Sequence, residues 1–408
     1  MSPHRTVLVG MLVLGLLPAA QQLAAPKFRF DPDWPKPLPN KWKLGGVTGL
    51  AVDKDDNVWV YDRPNDLTDI ELEAELTPPL ADCCVRPPAM IHIDKQGNVI
   101  GSFDAPQGHG MAVDSKGFTY LGQDTVRKYD PQTGRIVGEV PRTPERPPGA
   151  GGDPAPTSAH VPGRGGQGPV AGFITPPGGR GQPNASAASA REAAIAAFRA
   201  KYPPTTPMIV GGIEEIRLDE PARELYAADN YLGGRVMVFD LDTLQFKRGW
   251  GAYGRKLSEM TTSDADRAYT PGGPMPKEFR GHLTLNISND GLVYAADRNA
   301  NRIQVATKEG KFLREFILAP TTGVGGSAGG VMFSPDKAQR LLYISDLTNN
   351  HLWFLNREDG KVIGQMGSMG ENGGQFFGLH MIAVDSKGVL YTGEVFQGER
   401  VQRFLPVK

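Results

Sequence analysis

The chain repeats one unit of about 40 residues, and this repetition limits its possible folds more than any other feature. Each unit consists of a short apolar strand, a turn with Gly and Asp or Asn, a second strand ending in Asp or Glu, and two further strands. The six copies are Gly49–Phe103, His109–Val140, Ile213–Trp250, His282–Phe316, Gly330–Met366 and His380–Pro406. Four short strands per unit are typical of a propeller blade, which buries its faces against neighbouring blades. The sequence therefore predicts an all-β fold, a single six-bladed β-propeller.

The acidic residue that ends the second strand of each unit is predicted to be structural. Asp346 and Glu394 close the second strands of the last two units. A carboxylate there can accept hydrogen bonds from backbone N–H groups of the adjoining turn and pair with an arginine several residues later. We therefore assign neither residue a catalytic role.

Two segments lie outside the repeated units. Lys27–Trp42 precedes the first unit, and we expect it to supply a strand that closes the ring onto the last blade. Pro141–Pro207 is rich in Pro, Gly, Ala and Ser, a composition that cannot bury enough apolar surface to order itself. We interpret it as a flexible low-complexity insertion between blades two and three, with one helical stretch at Ser186–Tyr202. Its arginines do not indicate RNA binding, because they lack interleaved aromatic residues.

The first residues have the features of an export signal. His4 and Arg5 precede the apolar run Thr6–Leu17, and small residues that permit cleavage continue to Ala25. We expect residues 1–25 to be a signal peptide, residues 26–408 to form the propeller, and the protein to be periplasmic or secreted. An uncleaved membrane anchor is the alternative, although the run is short for a membrane span.

Composition and cysteine content narrow the partners and the chemistry. The 408 residues are 39% hydrophobic with a formal net charge of −1, which indicates a globular chain without the charge that polyanion binding requires. We expect a monomer with a small-molecule or peptide substrate, a protein or glycan as a further partner, no nucleic acid, and no membrane contact beyond the signal peptide. The only cysteines, Cys83 and Cys84, form either a vicinal disulfide or a thiol pair, since their spacing fits no zinc or redox motif.

Three of the seven histidines occupy the same place in the repeating unit, at the head of its first strand. The first strands of a propeller line a central channel, so equivalent positions form a ring. We count back from the acidic residue that ends each first strand, with a one-residue adjustment in the fourth unit. The ring is then Thr48, His109, Glu214, His282, Gly329 and His380. The histidines therefore lie on blades two, four and six.

Alternate blades of a six-fold ring would place three imidazoles at trigonal positions around one point. Three histidines with a fourth position open to water or substrate are a ligand set of catalytic zinc. The sequence therefore predicts zinc bound by His109, His282 and His380. In the simpler alternative, each histidine only forms a hydrogen bond with the backbone at the channel end of its blade. Glu214 points into the same ring, where it can orient a histidine, bind a second cation or remain solvated.

With these residues in place, the chain resembles a known family. The repeats look like those of NHL-type propellers, and the ring residues are similar to those of peptidyl-α-hydroxyglycine α-amidating lyase, a zinc enzyme. The resemblance covers about residues 45–404 except the insertion. The functional positions that match are the zinc ligands His109, His282 and His380, the active-site arginines Arg63 and Arg298, and the proposed catalytic tyrosine, Tyr231. Six matched positions are far more specific than the repeat pattern alone.

The resemblance is incomplete at two positions. The family binds a structural calcium through an Asp and two backbone carbonyls. This chain has Met381 at the Asp position, although Val47 and Met111 match the carbonyl positions. The resemblance thus implies zinc but not a complete calcium site. Leu232 stands where the family has a disulfide-forming cysteine.

The resemblance implies a secreted zinc lyase that cleaves an α-hydroxyglycine-type carbinolamide to an amide and glyoxylate. Zinc would lower the pKa of the substrate hydroxyl, and Tyr231 would take its proton as the C–N bond breaks. Arg63 and Arg298 would hold a carboxylate, unless they only form salt bridges between blades. Two other functions stay open: a non-catalytic propeller that binds a peptide, protein or glycan, and a calcium-dependent lactonase or related hydrolase. A lactonase of this kind requires carboxylates and asparagines in the channel, whereas this ring has histidines.

Overall fold

The protein is an all-β propeller with six blades. A computed structural model describes residues 23–147, 185–323 and 325–407, and these residues contain six four-stranded sheets whose neighbouring strands are antiparallel. The sheets confirm the predicted fold class. Most of the predicted signal peptide, residues 1–25, lies outside the described residues, as does the middle of the insertion, residues 148–184.

Each blade is a meander of four short strands. In chain order, the strands are β1 Lys27–Phe30, β2 Gly46–Val52, β3 Val58–Arg63, β4 Met90–Ile93, β5 Val99–Phe103, β6 Met111–Val113, β7 Thr119–Gly122, β8 Val126–Asp130, β9 Arg135–Glu139, β10 Ile213–Asp219, β11 Glu224–Asp229, β12 Arg235–Asp240, β13 Phe246–Trp250, β14 Leu283–Ile287, β15 Leu292–Asp297, β16 Arg302–Thr307, β17 Phe312–Ile317, β18 Val331–Phe333, β19 Leu341–Asp346, β20 His351–Asn356, β21 Val362–Met366, β22 Leu379–Val384, β23 Leu390–Glu394 and β24 Val401–Val407. Strand β19 is buried throughout, because neighbouring blades cover both its faces, whereas the outermost strand β9 is mostly exposed.

The ring closes through the two ends of the described chain. Strands β2–β5, β6–β9, β10–β13, β14–β17 and β18–β21 form blades one to five, and β22–β24 form blade six together with β1. Strand β1 pairs with β24 from Lys27 opposite Val407 to Phe30 opposite Phe404, which confirms the predicted closing strand. The innermost strands β2, β6, β10, β14, β18 and β22 contact one another in sequence around the channel.

Short helices connect some of the strands. The α-helices are α1 Ala185–Lys201 and α2 Asp264–Arg267, and the 3-10 helices are Pro39–Lys41, Pro64–Asp66, Asp69–Glu75, Ala252–Gly254, Leu257–Glu259 and Arg298–Ala300. Among the described residues, none of the helices has the length and apolar character needed to cross a membrane. In the loop between β3 and β4, Cys83 and Cys84 are joined by a disulfide, one of the two states predicted for them.

Buried carboxylates brace the segments that lead into the inner strands. Asp297 accepts hydrogen bonds from the backbone N–H of Gly281 at 3.3 Å and forms an ion pair with Arg302 at 2.9 Å. Glu394 pairs with Arg400 at 2.9 Å. Asp346 instead accepts hydrogen bonds from Asn349 and Trp353. The predicted structural role of Asp346 and Glu394 is therefore confirmed, and of the two only Glu394 has the predicted arginine partner.

The end of the insertion packs against the propeller. The predicted helix is present as α1, whose Phe198 is buried against Val210 and Leu232. The two ends of the insertion are hydrogen-bonded to each other, because the N–H of Thr143 donates to the carbonyl of Ile209 at 3.0 Å. The C-terminal end of α1 thus packs against the propeller through Ile195 and Phe198, a contact that the composition did not predict.

Candidate metal centre

Three of the polar residues in the channel lie at the heads of inner strands. His109 precedes β6, Glu214 lies in β10, and His380 lies in β22. Strand β10 has a β-bulge between Ile213 and Ile216, and β22 has one beside His380. An extra residue in a strand re-aims the side chains around it, and bulges are common beside functional sites. These irregularities therefore help to turn Glu214 and His380 toward the channel axis.

His109, Glu214 and His380 form a group that could hold a metal ion. The Nε2 atoms of His109 and His380 are 3.2 Å apart, and His109 Nε2 is 3.3 Å from Glu214 Oε1. Tetrahedral zinc with bonds of about 2.0–2.1 Å holds its ligand atoms about 3.3 Å apart. The spacing of these donor atoms thus fits a small tetrahedral cation.

The hydrogen bonds of His109 fix which of its nitrogens can bind a metal. Nδ1 lies 2.6 Å from the backbone carbonyl oxygen of Glu214. A carbonyl only accepts hydrogen bonds, so Nδ1 carries the proton and Nε2 keeps its lone pair. Burial lowers the pKa of the His109 imidazole to about 4. The ring is therefore neutral at neutral pH.

His380 is the second imidazole of the pair and is also buried. Burial, and next the neighbouring His109, hold the pKa of His380 well below its ordinary value. Its Nδ1 is buried and forms no hydrogen bond with the described residues. His380 is therefore a neutral imidazole at neutral pH, and its Nε2 is the nitrogen that faces His109.

His282 contacts the group through Glu214. Its Nδ1 lies 2.9 Å from Glu214 Oε1, and its side chain is about one-third exposed. The structure thus groups two of the three predicted histidines with a carboxylate and places the third against that carboxylate. The set of His109, His282 and His380 as zinc ligands stays a prediction, and the geometry adds Glu214 as a competing ligand.

Glu214 is the centre of the hydrogen-bond network. Its Oε2 accepts hydrogen bonds from Asn230 Nδ2 at 3.0 Å and from the Tyr231 hydroxyl at 3.2 Å. Burial alone would raise the pKa of this carboxyl, but the neighbouring imidazoles and Arg298 hold it well below its ordinary value. Sequence reasoning placed Glu214 in the ring as a residue that orients a histidine, binds a second cation or remains solvated, and its contact with His282 agrees with the first of these.

Tyr231 lies beside both Glu214 and His282. Its ring meets the His282 ring edge-on with centroids 5.6 Å apart. The carboxylate of Glu214, and then burial, raise the pKa of the Tyr231 hydroxyl. The phenol is therefore protonated at neutral pH, and its backbone adopts the left-handed region with φ of 49°.

The two predicted active-site arginines differ in their partners. Arg63 pairs with Asp66 of the same blade at 2.9 Å. Arg298 lines a small cavity together with Glu214, His282 and His380, and its buried Nε has no hydrogen-bond partner among the described residues. Within the part of the chain that the structure describes, neither arginine forms an ion pair between blades.

The positions compared with a calcium site are apolar. Met381 is 4% exposed and packs in the same apolar cluster as Val47. Met111 is buried in β6. The side chain at position 381 therefore provides no oxygen ligand, and calcium prefers oxygen ligands. Leu232, the other departure from the family pattern, is buried against helix α1.

The chain is similar in sequence to a known enzyme and in fold to solved structures. No protein-family model matches the chain. The chain is 26% identical over 200 residues to peptidyl-glycine alpha-amidating monooxygenase B of Xenopus laevis, and the match covers 48% of this chain and 20% of the frog protein. The structure is similar to virginiamycin B lyase from Staphylococcus aureus with a TM-score of 0.42 and 12% identity, over 90% of this chain and 87% of that chain. The frog protein is named as an enzyme, which agrees with the expectation that this propeller is an enzyme.

Proposed function

We propose that this protein is an exported zinc lyase that cleaves an α-hydroxyglycine-type carbinolamide to an amide and glyoxylate. The observation that carries the proposal is the pair of His109 and His380 Nε2 atoms, 3.2 Å apart and beside a buried carboxylate. Without a cation, the Nε2–H of His380 can donate to the lone pair of His109 Nε2, whereas with both Nε2 atoms unprotonated one cation can bind the two lone pairs. The sequence similarity to an amidating enzyme supports the choice of reaction.

The metal ligands come from the four polar side chains at the channel head. His109 and His380 would hold zinc through Nε2, with Glu214 or His282 as the third ligand. Zinc, when bound, supplies a Lewis acid that lowers the pKa of a coordinated hydroxyl group.

Tyr231 and Glu214 form a proton relay in this proposal. The raised pKa of Tyr231 keeps its hydroxyl protonated, so the phenol oxygen accepts the substrate proton only as its own proton passes to Glu214, 3.2 Å away. The C–N bond then breaks, its electron pair goes to nitrogen, and the carbinol carbon becomes the aldehyde of glyoxylate. Return of the proton to the nitrogen completes the amide, so atoms and charge balance.

In this proposal, Arg298 and Arg63 bind the carboxylate of the substrate. Arg298 is buried, lines the cavity beside His380 and has an unpartnered Nε. A buried cation of this kind gains a charge-assisted hydrogen bond when a carboxylate enters. Arg63 already has Asp66 as its partner, so in this proposal it releases or shares that contact with substrate.

The reaction is tested by measuring glyoxylate release from an N-acyl-α-hydroxyglycine by the zinc-loaded protein. We expect turnover that disappears on chelation and returns with zinc. Its matched control is His351→Ala, since His351 lies on blade five and contacts the backbone of Gly367, outside the site. Zinc-loaded protein without glyoxylate release would contradict the lyase and favour the non-catalytic binding propeller.

A further inference from the structure

We propose that Arg267 and helix α1 are positioning elements that hold Tyr231 from outside the channel, an inference that rests on the proposed function for its catalytic meaning. The loop that carries Tyr231 connects β11 to β12 and is fixed on its inner side by Asn230, which donates to Glu214. Its outer side faces α1 and α2. Neither helix belongs to the repeated blade unit.

The backbone of Tyr231 needs external support. Its φ of 49° lies in the left-handed region, which residues with a side chain rarely adopt. The adjoining turn is closed by one hydrogen bond, from Gly233 N–H to the Asn230 carbonyl at 2.8 Å. A disfavoured conformation persists only where the surroundings fix it, so the contacts of this loop decide where the phenol points.

Arg267 supplies two of those contacts. Its Nη1 donates to the Tyr231 carbonyl at 2.9 Å, and its Nη2 donates to the Gly233 carbonyl at 3.1 Å. The guanidinium is buried, with 7% of the residue exposed. A planar fork that bonds two carbonyls of one turn fixes the turn's orientation, which a single point charge cannot do.

Gly234 leaves the space that Arg267 occupies. A Cβ at position 234 would lie 3.1 Å from the guanidinium carbon of Arg267. The φ of Gly234 is 63°, so a side chain there would also strain the backbone. The absence of a side chain at position 234 thus allows Arg267 to pack against the loop.

Helix α1 contacts the same loop through an apolar side chain and contacts α2 through an ion pair. Phe198 packs on Leu232, the residue after Tyr231. Arg199, the next residue of the helix, donates to the Thr262 carbonyl at 2.9 Å and pairs with Asp264 of α2 at 3.1 Å. The helix therefore contacts the Tyr231 loop directly and also contacts α2, the helix that provides Arg267.

The test compares Arg267→Met with Arg255→Met in the full-length protein. Arg255 is a suitable control because it pairs with Glu278 in the same region but does not bond the Tyr231 loop. We expect faster amide hydrogen exchange at residues 230–234 in Arg267→Met only. We also expect kcat to fall roughly 10- to 100-fold with little change in KM, the scale of a misplaced reacting group, while zinc content is unchanged.

Two further variants separate positioning from general loss of folding. Arg267→Lys, which can reach one carbonyl at a time, should recover part of kcat. Phe198→Ser should speed exchange in the same loop, whereas Ala197→Ser on the exposed side of α1 should not. Equal exchange in Arg267→Met and Arg255→Met would overturn the positioning role. The exchange measurement decides this even if the protein shows no lyase activity, so the two proposals fail separately.

Discussion

Two buried carboxylates of this propeller, Asp297 and Glu214, have different partners. Asp297 is fully buried and pairs with Arg302, which is also fully buried. Glu214 is equally inaccessible, but its partners are the imidazole of His282 at 2.9 Å and the phenol of Tyr231 at 3.2 Å. An arginine never releases its proton in a protein, whereas imidazoles and phenols can exchange protons and offer lone pairs to a metal.

The comparison shows that burial alone does not separate a structural acid from a functional one. Asp297 fixes the backbone before His282, through the N–H of Gly281. Glu214 contacts the residues that would carry out the chemistry. The identity of the partner, a permanent cation or a titratable group, distinguishes the two roles.

Glu214→Gln should have the largest effect on function. The substitution removes both a candidate metal ligand and the acceptor of the Tyr231 proton, while the amide retains a similar shape. We expect zinc affinity to fall by about 10- to 100-fold and turnover of the zinc-saturated variant by about 10³-fold. Metal titration and kcat on an N-acyl-α-hydroxyglycine measure the two effects. Turnover within a factor of two of the wild-type value would remove Glu214 from the mechanism.

Asp297→Asn should instead affect stability. It leaves the buried Arg302 guanidinium without its nearer carboxylate, since Glu315 lies at 3.4 Å, and breaking a buried pair costs about 3–5 kcal/mol of the free energy of unfolding. Urea unfolding measures this loss, and zinc bound per folded molecule should be unchanged. Asp264→Asn is the control, because the Asp264 side chain is 88% exposed. Equal stability of the two variants would show that the comparison between the carboxylates is mistaken.

Tyr231→Phe isolates the proton relay from the metal site. The phenyl ring keeps the packing against His282 but cannot accept or donate a proton. We expect kcat to fall by about 10²-fold, with zinc content equal to that of the wild-type protein. A variant that keeps full activity would exclude Tyr231 as the group that takes the substrate proton.

The metal-free protein should lose stability as the pH falls from about 6.5 toward 4. The pKa of His109 is lowered to about 4 in the folded state, compared with about 6.5 in the unfolded chain. The unfolded state therefore binds more protons in this window, so the free energy of unfolding decreases with falling pH, by about 2 kcal/mol at pH 5 for this group. His109→Ala should show a smaller loss between pH 6.5 and 5 in chelator-treated samples. An equal loss in both proteins would contradict the assignment.

The repeat pattern was enough to predict the fold, because each blade has its own strand and turn signals. The inner-strand register also predicted that His109 and His380 meet in the channel. It could not predict that His282 would turn to Glu214, since His282 has a left-handed backbone with φ of 54° and Glu214 lies at a β-bulge, neither of which the repeat pattern specifies. The packing of α1 was also missed, because composition averages Phe198 with the Pro/Gly-rich residues before it.

The central claim is that His109 and His380 hold zinc, and elemental analysis of purified protein tests it most directly. We expect near-stoichiometric zinc in the wild-type protein and in His351→Ala, the histidine outside the site. We expect its loss in a triple variant with alanine at His109, His282 and His380, and in the double variant changed only at His109 and His380. Equal zinc content in the wild-type protein and these variants, or no zinc in any of them after incubation with the metal, would contradict the account.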